Sequence, residues 1–255
     1  GSILLNMNYF DYATGLKMTN DKKWTKLFGI PPRATESEIS QPYMDIALAI
    51  QQVIEEIVIK LAKTAKELTK SDYLVMAGGV ALNSVANGKL LKSGLFKDIW
   101  IQPAAGDAGG ALGAAYLGYY FLKNEKRIVN DNLDAMKGAY LGPEYDEKEI
   151  RGVIRKYNAK SEYYSDFNEM AKIVAKKISK GNVVGWFQGR MEYGPRALGN
   201  RSILGDARNP EMQKKMNLKI KYREGFRPFA PSVLEEDIDE YFDIDRPSPY
   251  MQYVV

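Results

Sequence analysis

The most regular pattern in the chain runs from Pro42 to Lys70. Apolar residues recur at Ile46, Ile50, Val53, Ile54, Ile57, Leu61, Ala65 and Leu68. That spacing predicts a long amphipathic helix, and a sheet is the natural surface for it to pack on. Ser40 is placed as its N-cap and Pro42 in its first turn. Gln51, Glu55, Lys63 and Lys66 fall on the expected polar face. Ahead of it, 3–19 is rich in aromatic and β-branched residues and predicts two extended segments around a turn at Thr14-Gly15. Gly29 to Pro32 breaks the chain.

Two strand–glycine–helix units follow. Tyr73 to Met76 reads as a short buried strand, Gly78-Gly79 as a tight turn, and Ala81 to Leu91 as a helix. Ile99 to Gln102 is the second strand, ended by Pro103, and Gly106-Asp107-Ala108-Gly109-Gly110 turns into a helix of small residues. Such turns bring backbone N–H groups and a helix N-terminus up to an anionic ligand, and open α/β sheets place ligands at strand carboxyl ends. Asn83 is within reach of the first turn. Asp107 sits on the second, where a helix cap and a ligand contact are equally good readings.

Polar residues 123–137 are read as a connection between two domains, 1–125 and 139–255, with 126–138 as linker. Beyond it, helices are expected from Asp146 to Tyr157 and from Asp166 to Lys180, each capped by its aspartate. Strands are expected at Ser161 to Tyr164, Asn182 to Phe187, Arg201 to Leu204 and Phe229 to Leu234. Asn209-Pro210-Glu211 opens a helix to about Leu218, Glu235 to Phe242 forms a short acidic helix, and the last residues start a strand. The fold class is α/β.

Composition narrows the chemistry. The chain has 255 residues, 45% of them hydrophobic and 27% charged, as in ordinary globular proteins. It has no cysteine, which excludes disulfides and thiolate metal sites and fits a cytoplasmic protein. No apolar run approaches the roughly 20 residues that span a bilayer, so no membrane partner is expected. It has no histidine either. The usual general base and commonest metal ligand are therefore missing, and carboxylates, lysines, tyrosines or water must serve.

Charge is concentrated in one stretch. Gly189 to Pro231 carries ten Lys/Arg against four acids, a net of +6 in a chain whose total is +4. Several of these cations sit beside Gly or Pro, as in GPRALGNR and FRPF. That suits a rigid, turn-built anion site better than a solvated helix face, and Arg grips phosphate or carboxylate with a planar fork. A phosphorylated small molecule fits best. An arginine network locked to Glu192, Glu224 and carbonyls is the structural alternative. Nucleic acid, stacking on Tyr193, Tyr222, Phe226 and Phe229, is the less favoured partner.

The segments AGGVALNSVANGKL, IWIQPAAGDAGGALGAA, GRMEYGPRALGNRSILGDAR and KYREGFRPFAPSVL resemble the O-carbamoyltransferases of nodulation-factor and antibiotic biosynthesis. The resemblance runs along nearly the whole chain. It implies an actin-like ATPase-fold domain followed by a YrdC-like domain. It also implies a two-step reaction: carbamoyl phosphate and ATP give carbamoyladenylate and pyrophosphate, and the carbamoyl group then passes to a hydroxylated small-molecule acceptor, assisted by a divalent metal such as Fe or Mg. By this resemblance Gly78, Gly79 and Asn83 match the adenosine-binding segment and Asp107 a metal ligand. Arg190, Arg196, Arg201, Ser202, Asn217, Lys221, Arg223 and Arg227 are the candidates for gripping carbamoyl phosphate and the ATP phosphates. Arg196, Arg201, Lys221 and Arg223 are assigned to the reacting groups themselves.

The sequence departs from the family pattern in two ways. The family's two metal-binding histidines have no counterpart here, and the first half of the ATPase-like domain and the end of the YrdC-like domain are not matched. The expectation is a fragment that handles the first step and does not complete the transfer. A nucleotide- or tRNA-binding module without transferase activity is the competing class. A sugar-kinase-like phosphotransferase is a third, disfavoured by the Arg-rich second domain.

Overall fold

The computed structural model describes residues 3–34, 37–130 and 134–255. It contains helices α1 (Asp21–Phe28), α2 (Gln41–Thr69), α3 (Ser84–Lys92), α4 (Asp107–Leu117), α5 (Glu147–Lys156), α6 (Phe167–Ser179), α7 (Met212–Lys219) and α8 (Ile238–Tyr241). Its strands are β1 (Tyr73–Met76), β2 (Asp98–Ile101), β3 (Val184–Phe187) and β4 (Arg201–Leu204). Two two-stranded sheets result, β1–β2 and β3–β4. This is mixed α/β structure, as expected.

The chain divides into two compact units, Gly1–Leu74 with Lys89–Asp98, and Val75–Gly88 with Ile99–Val255. The expected linker at 126–138 lies inside the second unit, and its residues 131–133 fall outside the described ones.

In the first unit α1 begins at Asn20, whose side chain accepts from the Lys23 N–H, and ends at Gly29 in the left-handed conformation. Nothing in the apolar pattern announced this helix. Its Trp24 anchors an aromatic cluster: the ring stacks on Phe28 and meets Tyr9 and Phe10, while Nε1 donates to the Tyr9 carbonyl at 2.8 Å. Among residues 3–19, a 3-10 turn at Met7–Tyr9 and one bridge between Phe10 and Thr19 replace the two expected strands.

Helix α2 matches its predicted limits, with Ser40 before it and Lys70 in left-handed conformation closing it. Its orientation differs from the expectation. The buried positions are Glu55, Val58 and Ala62, a strip about a third of a turn from the apolar stripe. Ile50, Val53, Leu61 and Leu68 on that stripe are exposed. Burial of Glu55 is possible because the Lys89 ammonium pairs with one of its oxygens and Gln51 donates to the other at 2.9 Å. Asp72 lies between Lys66 (2.8 Å) and Lys97 (2.7 Å). Hydrogen bonds from Lys66 and Lys97 pull its carboxyl down to about 2.

Around β1 and β2 the backbone bonds advance together along both strands, from Lys97 N–H to Asp72 carbonyl and from Gln102 N–H to Met76 carbonyl. That is the sense of parallel neighbours joined by a crossover, here through α3. β1 was expected to be buried, but Tyr73 and Val75 are exposed.

Leu90 is fully buried in the first unit, and in the second Ile101 is fully buried, with Ala104, Ala105 and, on α7, Met212 and Met216 also buried. Gly205 lies so close that a Cβ there would meet both methionines within 3 Å. α5 and α6 are capped by Asp146 and Asp166 as predicted, the first with a full capping box to Glu149. β3 and β4 pair antiparallel, with Val184 opposite Leu204 and Phe187 opposite Arg201. Residues 161–164, 229–234 and 250–255, expected as strands, have no strand structure. The last of these lies extended against α3 and β2. Val254 N–H donates to the Ser84 carbonyl, Asn87 to the Gln252 carbonyl, Gln252 to the Ile101 carbonyl and Tyr253 to the Ile99 carbonyl.

Candidate functional site

All the predicted site residues lie in the second unit. They form two groups.

The first group joins three turns. Gly78 adopts φ +100°, open to glycine alone at no cost, and its N–H donates to the Ala105 carbonyl at 2.7 Å. A 3-10 turn, Gly79–Leu82, follows, and Asn83 caps α3 by accepting the Ala86 N–H at 3.1 Å. A Cβ added to Gly78 or Gly79 would meet nothing, so both face open space. The second turn, 103–107, ends β2, with Asp107 as the exposed first residue of α4 and Gly106 in the cap position. The third is the GPRALGN loop. Gly194, at φ +126°, lies against Ala104 and Pro103, where a Cβ would come within 3.3 Å of both. The Tyr193 hydroxyl donates to the Ala108 carbonyl. Arg196 reaches across to the Leu82 carbonyl at 3.2 Å through Nη2.

One buried carboxylate shapes this loop. Glu192 is 4% exposed, and one of its oxygens accepts the N–H groups of Leu198 (2.6 Å) and Asn200 (2.9 Å). Its other oxygen faces Arg201 Nε at 3.6 Å. Burial pushes the Glu192 carboxyl up, but the Leu198 and Asn200 N–H groups, with Arg201 behind them, outweigh it and hold the group below the usual glutamate range. Ser202 accepts the Gly199 N–H at 3.0 Å, and Tyr140 donates to the Leu198 carbonyl at 2.7 Å.

The cations are partly engaged by backbone. Arg190 donates to the Gly142 carbonyl (2.9 Å) and Arg201 to the Gly194 carbonyl (3.4 Å). Each contact uses one of a guanidinium's five donors. Arg196 Nε is buried and donates to nothing among the described residues.

The second group gathers on α7. Asn217 is fully buried and Gln213 stands one turn before it. Both hold the carbonyls of the following loop, Asn217 those of Gly225 (3.2 Å) and Arg227 (2.7 Å), Gln213 those of Phe226 and Arg227. Arg227 pairs with Glu224 at 2.8 Å, and Lys221 is exposed.

These turns fall in the segments that two family models match: the carbamoyltransferase N-terminus over residues 1–116 and the carbamoyltransferase C-terminus over 175–255. The chain belongs to the carbamoyltransferase family. Among its relatives, an uncharacterized protein of Synechocystis is 56% identical over the whole chain, which spans 41% of that protein. The nodulation protein NolNO of Sinorhizobium fredii is 40% identical over 91% of the chain and 34% of its own length. Nodulation protein NolO of Bradyrhizobium diazoefficiens is 39% identical, covering 90% and 41%. The chain thus spans well under half the length of these relatives.

The metal that the family resemblance implies does not fit the residues present. Asp107 is a single exposed carboxylate, and the described residues hold no cluster of three or more metal-binding side chains. Sequence reasoning did not find the carbonyls of Leu82 and Ala108 or the hydroxyls of Tyr140 and Tyr193 as parts of this cluster. Backbone acceptors leave no mark in a sequence, and both tyrosines act through contacts far along the chain.

Proposed function

We propose that the chain is part of an ATP-dependent O-carbamoyltransferase and supplies its carbamoyl phosphate and ATP contacts. In this reading the Gly78-Gly79 and Asp107 turns belong to an actin-like ATPase-fold domain, and the Arg-rich block, with its GPRALGN loop, to a YrdC-like one. The observation that carries it is Arg196, stretched from the GPRALGN loop to the glycine turn, with a buried Nε that has no acceptor among the described residues. Buried donors are rarely left unpaired, and an anionic oxygen is the natural partner.

The chemistry asks for little from the protein beyond position and charge. Carbamoyl phosphate gives up its phosphoryl group as inorganic phosphate with uptake of water. A carbamate oxygen then attacks the α-phosphorus of ATP, pyrophosphate leaves, and carbamoyladenylate remains. Arginines fixed by backbone carbonyls neutralise the anionic reactants without reorganising. A hydroxylated acceptor then takes the carbamoyl group and releases AMP. With Asp107 the single exposed carboxylate at these turns and no histidine in the chain, the described residues offer no ligand set for a metal in that second step.

Calorimetric titration of carbamoyl phosphate, with and without ATP, tests the reading. The chain should bind, and Arg196→Ala should weaken binding by about 1.5–3 kcal/mol, the range for hydrogen bonds to charged groups. A mutant that loses stability but keeps its affinity would make Arg196 a structural tie instead. RNA binding that falls with salt, without carbamoyl phosphate binding, would favour the nucleic-acid class.

A further inference from the structure

Asn217 was expected to touch ligand, yet its geometry leaves it nothing to offer one. Its exposure is 0%, and both N–H groups are spent on the carbonyls of Gly225 and Arg227. Its oxygen accepts Arg223 Nε at 2.6 Å, and its own carbonyl accepts the Arg223 N–H at 3.0 Å. Arg223 is therefore gripped at both its backbone and the inner edge of its guanidinium.

A second element holds the same group. The Phe229 ring lies 4.9 Å from the Arg223 guanidinium carbon. A ring against the guanidinium and a hydrogen bond on its Nε edge together restrict how the group can turn. What stays unspent is the outer fork: Nη1 and Nη2 donate to no group among the described residues. A planar, pre-oriented, two-nitrogen fork matches two oxygens of a phosphate.

We infer that Asn217 and Phe229 are positioning residues that hold Arg223 rigid so that its outer fork takes a phosphoryl group. This rests on the proposed function, since it concerns how that phosphate site is preorganised. A freely rotating arginine would give up rotamer entropy on each binding event, and this one has been fixed in advance.

The test is a double-mutant cycle read by calorimetric titration with carbamoyl phosphate. Arg223→Gln should weaken binding about tenfold or more. Phe229→Leu, on a half-buried side chain, should weaken it about two- to five-fold. Phe229→Tyr, which keeps the ring, should restore it. The decisive arm is Phe229→Leu in the Arg223→Gln background, where no further loss is expected. Asn217→Ser should weaken binding in the parent, and only part of that loss should remain once Arg223 is gone, the part owed to its hold on the Gly225 and Arg227 carbonyls. If Phe229→Leu costs the same with and without Arg223, the ring merely supports the loop and the inference is wrong. If Arg223→Gln binds like the parent, Arg223 is not in the phosphate site and the inference falls with that placement. A parent chain that does not bind carbamoyl phosphate would sink the proposed function itself.

Discussion

Replacing Glu192 by Gln probes the loop that presents Arg196 and Arg201. The carboxylate oxygen that accepts Leu198 and Asn200 becomes a neutral amide oxygen. Hydrogen bonds to a charged acceptor are worth about 1.5–3 kcal/mol against about 0.5–1.5 for neutral ones, so two of them lose about 2 kcal/mol together. The new amide nitrogen replaces the oxygen facing Arg201, and a buried donor with no acceptor costs about 1–3 kcal/mol more. Relief from burying a charge offsets part of this. The net loss should be about 2–4 kcal/mol, which amide hydrogen exchange reads locally as a fall of about thirty-fold or more in protection at Leu198 and Asn200. The pH dependence has a fixed sign. Glu192 sits below its ordinary value in the folded protein, so its contribution is present above about pH 4.3 and is lost as pH falls through the lower, folded value. The gap between parent and mutant should be full at pH 7 and close in acid. Equal protection in both proteins at pH 7, or a gap that does not change down to pH 3, would refute this account of the loop.

Other outcomes follow from single contacts. Gly88→Ala puts a Cβ 2.0 Å from the Val254 carbonyl oxygen. Alanine gains about 1 kcal/mol in a helix interior, but displacing 252–254 forfeits up to four hydrogen bonds at about 0.5–1.5 kcal/mol each. Net destabilisation and faster exchange of the Val254 amide are expected, and a stabilised mutant would contradict the docking. Asp72, held at about 2 by Lys66 and Lys97, should titrate far below a free aspartate by NMR. Its stabilising effect is present above about pH 3.9 and fades toward pH 2, and Lys97→Met should raise its value. Purified chain supplied with carbamoyl phosphate, ATP and a hydroxylated acceptor should form no carbamate ester. Turnover there would show that the ligands missing for the second step are not needed.

Much of this was legible where local chemistry decides the outcome. The Asp146 capping box, the Asp166 cap, the limits of α2 and the span of β4 all follow from residues within a few positions of each other. The errors arise where long-range packing decides. Periodicity located the apolar stripe of α2 but could not say that a neighbouring strip, neutralised by Lys89, would be the one buried. Residues 229–234 carry strand-forming side chains, yet Phe229 is taken up by Arg223 and the segment has no strand structure. α1 went unseen because its eight residues are mostly polar and its apolar face is one aromatic cluster. At the site, the Arg-rich block was visible as charge and glycine. That Glu192 would be its organiser and Asn217 its internal tie depended on burial, which composition does not encode.

The open stripe on α2 has a practical side. Ile50, Val53, Leu61 and Leu68 are exposed apolar side chains spread over about five turns, with lysines and glutamates beside them. A molecule with that face open should behave as a surfactant. It should collect at air–water and glass surfaces, scatter light increasingly with concentration, and be calmed by mild detergent or by a Leu61→Lys, Leu68→Lys pair. Heats measured at the high concentrations calorimetry favours would then include adsorption and self-association, so dilute, detergent-matched titrations are the ones to read for binding.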